Sequence, residues 1–164
     1  MFLEIGGIHM YRTVEDFLVD WKNSSAGTLA VFKALTDEKL KVAIVEDHNS
    51  LGWLAWHLTN TPVGLGRLFG LNVSPVGDHT QVPTEAAVIV EAFQKVMTEV
   101  TEQVSKWSDE DLLTSVDAFK GPMTKGAFLR MLIDHQTHHR GQMTVLLRQA
   151  GLAVPPVMGP TKEM

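Results

Sequence analysis

Nine residues inside one apolar-periodic segment limit what this chain can fold into: Asp134-His135-Gln136-Thr137-His138-His139-Arg140-Gly141-Gln142. The segment opens at Thr124, a capping residue type, and closes at Gly151, with Pro155 and Pro156 barring continuation, so it reads as one long helix. Three of the nine residues are histidines, poor helix formers and costly groups to bury without partners. The fold must leave these rings in water or give them something to bind.

Helical geometry sorts the three rings. At about 100° per residue, with His135 at zero, Phe128, Met131, Leu132, Met143, Leu146 and Ala150 centre near roughly +50°. His139, at about +40°, falls within that face and His135 at its edge, whereas His138, at about −60°, turns to the polar flank with Asp134. The i, i+4 pair His135 and His139 therefore points inward together, the spacing at which two imidazoles grip one cation from one helix. A His135–His138 grip at i, i+3 is the rival choice. Gln136 stands where an HExxH peptidase carries its general-base Glu, so peptidase chemistry is lost while the two-histidine grip survives.

Two ligands rarely hold a metal firmly, and a third must come from His9, His48, His57 or His79. His57 lies in the run Ser50-Leu51-Gly52-Trp53-Leu54-Ala55-Trp56-His57-Leu58-Thr59-Asn60, on the side shared by Trp53, Leu54, Thr61, Gly64 and Leu68. It is the one other histidine on the inward face of a clear helix. His9 sits near the N-terminus, His48 just before the Asn49-Ser50 helix start, and His79 in a Gly- and Pro-rich loop.

Periodicity predicts three further long helices. The first runs from the cap at Thr13 to about Leu35, with Gly27 a candidate for a local bend, and the second from Asn49-Ser50 to about Phe69, curved or kinked by Pro62. Residues 70–83 read as a connecting loop long enough for a crossover, and the third helix runs from Thr84 to Trp107. Thr36 and Ser108-Asp109-Glu110-Asp111 announce short extra turns, and Thr114 to Met123 reads as loop or short extended structure. With no convincing strand, the chain is expected to be an all-α four-helix bundle with a long crossover loop. Residues 1–164 read as a single domain, with 1–12 a leader and 152–164 an irregular tail.

Charge and composition narrow the function. A net charge of −5 without a basic stripe argues against nucleic acid as a partner. No apolar run approaches membrane-spanning length and the N-terminus lacks a basic-then-apolar signal pattern, so a cytoplasmic protein without a membrane partner is expected. The chain has no cysteine; any thiol chemistry must borrow its sulfur.

Around the histidines, Trp53 and Thr61, one turn either side of His57, are candidates to line a pocket, although an aromatic at helical spacing is more often core. Gln142 is a candidate pocket polar group. Asp134 and His138 are candidates to orient a ligand ring, against the reading of Asp134 as a surface carboxylate and of His138 as a marginal group bonded to solvent or to Asp134. Arg140 is expected to face outward.

The passages from His48 to His57 and from Thr124 to Gly151, with the core His135-xxx-His139-Arg140-Gly141-Gln142, are similar to those of the DinB-like family of metal-binding four-helix bundles. The resemblance spans nearly the whole chain, including helix order and the long second loop. It implies a divalent metal, often nickel or zinc, on one histidine of the second helix and the HxxxH pair of the fourth, which here match His57, His135 and His139. Iron and copper suit imidazole donors as well. The family implies homodimers too, and thiol-dependent transferases or isomerases in which a low-molecular-weight thiol attacks a small electrophilic substrate. Hydrolysis by an activated water fits the missing cysteine equally well. A second expectation, of a different class, is a non-catalytic metal- or ligand-binding dimeric bundle, and a third a plain helical interaction protein with core histidines.

Overall fold

Three of the four long helices begin where a hydroxyl satisfies a free backbone N–H of the first turn. In the structure, a computed structural model describing residues 11–118 and 121–163, these caps are Thr13 for α1 (Val14–Lys33), Ser50 for α2 (Leu51–Gly66) and Thr124 for α4 (Lys125–Gln149). The third helix, α3 (Ala86–Val104), starts two residues later than its Thr84 suggests. Its first N–H is taken by a carboxylate from elsewhere: Asp37 Oδ1 accepts from Ala86 N at 2.7 Å. Asp37 itself opens a short 3-10 turn, Asp37–Lys39, and similar turns occupy Arg67–Phe69 and Glu110–Leu113. Ser108 and Asp111 bond each other's backbone N–H as a capping box.

Helix α1 packs on α3 and α4, and α2 packs on the same two, so the consecutive pairs α1/α2 and α3/α4 lie on the diagonals of the bundle. This arrangement needs long connections, and it sets α2 beside α4. The connection after α2 is pinned to α3 by Gln103 and Glu99, which accept from Asn72 N and Ser74 N, each at 2.6 Å. Where no convincing strand was expected, β1 (Ser115–Ala118) and β2 (Gly121–Thr124) form a small antiparallel hairpin with Val116 opposite Met123. No helix among the described residues is long and apolar enough to cross a membrane.

The core divides into two apolar clusters. One gathers Phe32, Leu51, Leu54, Ile89, Phe93 and Met143; the other gathers Phe17, Trp21, Phe69, Val96, Phe128 and Leu132. Between them lies a polar belt that takes in every buried polar side chain of the described residues: Ser25, Thr28, Thr59, Thr61, Gln136 and Arg140. Each member finds a partner, as burial requires. Thr28 Oγ1 donates to Gln136 Oε1 at 2.7 Å and accepts from Arg140 Nη1 at 3.2 Å. On α2, Thr59 and Thr61 bond back to the carbonyls of Ala55 and His57, both at 2.8 Å, and α2 continues through Pro62 without a break.

Gly27 marks a close approach within α1. A Cβ at this position would lie 2.8 Å from Val157 Cγ1 and 3.4 Å from Arg140 Nη1. The chain after α4 thus returns across α1, where Val154 is buried and Thr161 Oγ1 donates to Val154 O at 3.0 Å. Arg148 pairs with Glu163 at 2.9 Å.

Candidate metal centre

The polar belt opens on one side into a cluster of imidazoles. His57 projects from α2, and His135 and His139 from successive turns of α4. His57 Nε2 lies 3.0 Å from His135 Nε2, and His139 Nε2 lies 3.1 Å from the same atom. One nitrogen from each ring falls within 4.8 Å of the others, and the rings meet edge-on at 69° to 90°. Among the described residues this is the one histidine, cysteine or carboxylate cluster of metal-ligand geometry.

Hydrogen bonding among the rings cannot satisfy this arrangement. His135 Nε2 has one proton or one lone pair to offer two neighbouring nitrogens, so at most one of its two short contacts is a good hydrogen bond. A cation at the centre would take a lone pair from each ring. Tetrahedral imidazole coordination at about 2.0–2.1 Å sets donors roughly 3.3 Å apart, close to the 3.0 and 3.1 Å that separate His135 Nε2 from its two neighbours. The donor set therefore fits a divalent ion.

The electrostatics act in the same direction. Burial, with the proximity of His139 and His57 adding to it, lowers the His135 pKa to about 4. His57 is lowered by burial and by His139, and His139 by burial, with Gln142 opposing. All three rings are thus held neutral near pH 7, with lone pairs free to donate.

The surroundings orient and cover the rings. Trp53 is 38% exposed and stacks on His57, with centroids 4.7 Å apart at 13°. It is therefore not a core aromatic. Beside it opens a cavity of about 730 Å³ lined by Trp53, Trp56, His57, Asn60, Thr61, Arg67, His79, Met131 and His135 among others. Thr61 is on this wall as expected from its spacing, its hydroxyl bonded to the His57 carbonyl. The loop after α2 closes one side because Trp56 Nε1 donates to Asp78 O at 3.0 Å. Gly77 there lies so close to Trp56 that a Cβ would sit 3.1 Å from its ring.

Several expectations need correcting. Gln142 does not line the cavity; it is exposed on α4, with its Oε1 2.7 Å from His139 Nδ1. Asp134 does not orient a histidine, because the guanidinium of Arg130, one turn earlier on the exposed flank, takes its carboxylate at 2.6 Å. His138 is exposed and stands beside His139, centroids 4.8 Å apart, outside the ligand cluster. Arg140 does not face outward: it is 7% exposed and donates to Ser24 O at 2.8 Å. Gln136, 3% exposed, faces α1 rather than the imidazoles.

The residue passed over in the loop is His79, which reaches the cavity wall. Its place depends on the loop's return to Trp56, which no local spacing announces. His48 is exposed, and His9 lies outside the described residues.

Comparison with known proteins places this geometry in context. Residues 10–164 match the sequence model of the DinB family. The chain is 35% identical over 158 residues to the uncharacterized protein YrdA of Bacillus subtilis (strain 168), covering 94% of this chain and 93% of that protein. It is similar to the crystal structure of a DinB-like protein from Bacillus cereus ATCC 10987, with 45% identity, a TM-score of 0.84, and coverage of 90% of this chain and 99% of that one. A DinB-like protein of Bacillus subtilis, YjoA, shares the fold at 15% identity and a TM-score of 0.67, over 88% of this chain and 99% of that one.

Proposed function

The chain belongs to the DinB family, and from that premise we propose that it is a metal-dependent enzyme acting on a small electrophilic substrate. The observation that carries the proposal is the convergence of the His57, His135 and His139 Nε2 atoms, at 3.0 and 3.1 Å, with His57 and His135 on the wall of an open cavity. Three neutral histidines leave coordination positions free, the mark of a reactive rather than a purely structural site. Nickel and zinc are the ions favoured.

When bound, the ion supplies Lewis acidity that lowers the pKa of water or of a low-molecular-weight thiol near neutral pH. The remaining work falls to the protein. His57, His135 and His139 hold the ion and, being neutral, leave its charge undiminished. Gln142 keeps His139 in the Nδ1–H tautomer, since a carboxamide oxygen can only accept. Trp53 shields the outer face of His57 from water, and Trp56 anchors the loop that walls the cavity. A cysteine-free chain has no thiol of its own, so a thiol nucleophile, where one is used in place of water, enters as cosubstrate.

Metal content after native purification tests the first step. Wild type is expected to carry close to one equivalent of divalent ion, and His57→Ala a small fraction of it. Equal content in the two proteins would end the proposal. Turnover of metal-loaded protein with a panel of thiols and electrophiles then separates transfer from hydrolysis.

A further inference from the structure

The cavity beside the imidazoles carries an imbalance of charge. Among its lining residues Arg67 alone bears a full formal charge at neutral pH; the carboxylate of Asp78, in the loop that closes one side, is taken up by Thr80 N and Oγ1 at 2.8 and 2.7 Å. The chain as a whole has 19 acidic against 14 basic residues, so a lining whose one charged member is a cation runs against its composition. Arg12, Arg130 and Arg148 each meet a carboxylate and Arg140 is held by α1, whereas Arg67 has no ion pair among the described residues. The apolar part of the lining comes from Trp53, Trp56, Val63, Leu65 and Met131, with Asn60 and Thr61 the uncharged polar groups on α2 between His57 and Arg67. The helical rise from His57 to Arg67 is about 15 Å along the axis.

We infer, building on the reading that an ion rests on the three imidazoles, that the cavity selects an amphipathic organic monoanion. Its reacting end lies at His57, His135 and His139, its aliphatic or aromatic body on the apolar wall, and its carboxylate at Arg67. A guanidinium presents a planar fork of donors that matches a carboxylate. One guanidinium suits one negative charge. Three neutral ligands leave a divalent ion uncompensated, so both ends of the cavity favour anions and reject cations of the same shape.

The test is calorimetric titration of 4-phenylbutyrate and of its neutral amide into wild type and Arg67→Gln, each in chelator-stripped and metal-loaded form. Arg67 is exposed, so its replacement leaves folding intact. Stripped wild type is expected to prefer the acid over the amide by about two- to fivefold, the range of an exposed ion pair. Arg67→Gln is expected to lose that preference while binding the amide unchanged. Equal binding of the two compounds by wild type, a preference surviving in Arg67→Gln, or binding of neither compound would overturn the inference. Metal content of the same preparations is read separately. Protein that takes no metal yet shows the Arg67-dependent preference defeats the metal reading alone, and protein that takes metal without the preference defeats the subsite alone.

Discussion

His139 Nδ1 and Gln142 Oε1 lie 2.7 Å apart, one turn along α4. The amide oxygen accepts the ring proton, which leaves His139 Nε2 bare toward His135. Gln142→Ala removes this orientation while leaving all three donors in place. Divalent-metal affinity is expected to fall about 10- to 100-fold, the usual cost of losing a ligand's hydrogen-bond partner. Competition against a chromophoric chelator measures it, and unchanged affinity would show that the tautomer is set some other way.

Acid should weaken the metal-free protein through the same rings. The pKa values of His57, His135 and His139 are lowered in the folded state, His135 to about 4, so between this value and about 6.5 the unfolded chain binds more protons. Stability is therefore fully present above about pH 6.5 and is lost as pH falls towards 4. Taken at face value, the His135 shift corresponds to about 3 kcal/mol; solvent reaching the half-buried ring reduces this to on the order of 1 kcal/mol. Urea unfolding of chelated wild type and His135→Gln across this range checks it, and parallel pH slopes would refute it.

The hydrogen bond from Thr28 to Gln136 should matter to the stability of the whole bundle, because it lies within the buried polar belt. Thr28→Val leaves Gln136 Oε1 with only the 3.4 Å contact from Ser24 Oγ and removes an acceptor for Arg140. A loss of about 1–3 kcal/mol in unfolding free energy is expected, as for a buried group left unpaired. Thr28→Val with Gln136→Leu should recover part of the loss, because both ends of the bond are then apolar. A double variant that is less stable than Thr28→Val alone would contradict this account.

Trp53 should report on its neighbour. Its ring stacks on His57, whereas Trp56, on the same cavity, is buried and turns its N–H to Asp78 O, Trp21 is buried in the core and Trp107 faces Lys125. Titration with nickel is expected to quench tryptophan emission, and Trp53→Phe to reduce that quenching more than Trp56→Phe does. Equal quenching in the two variants would place the ion elsewhere.

The three ligand candidates are legible in the residues because helical spacing turns His135 and His139 the same way and one inward histidine remains on α2. Arg140 is not, because the six residues that define the apolar face of α4 draw it too narrowly. Leu129, Ile133 and Leu147 are buried as well. Together with the other six they widen the apolar arc to roughly 200°, which takes in both Gln136 and Arg140. A helix gripped by two neighbours, α1 and α2, buries two faces. A polar residue turned toward α1 is assigned to solvent when only the face toward α2 is counted. Asp134 is open to two readings, and Arg130 at i−4 decides between them. The hairpin of β1 and β2 is too short for alternation to declare it. Arg67 and His79 become site residues only through the return of the loop after α2, a long-range event without local signature.

The diagonal placement of consecutive helices means that the imidazole contact joins positions 78 residues apart in the chain. An ion shared by His57 and His135 would therefore act as a removable crosslink spanning almost half of the polypeptide. The entropy of closing a loop rises with its length, so such a tie restrains the unfolded ensemble far more than a cation held within α4 alone. Loading and stripping the ion would then set how readily the whole bundle comes apart, as well as what happens in its cavity.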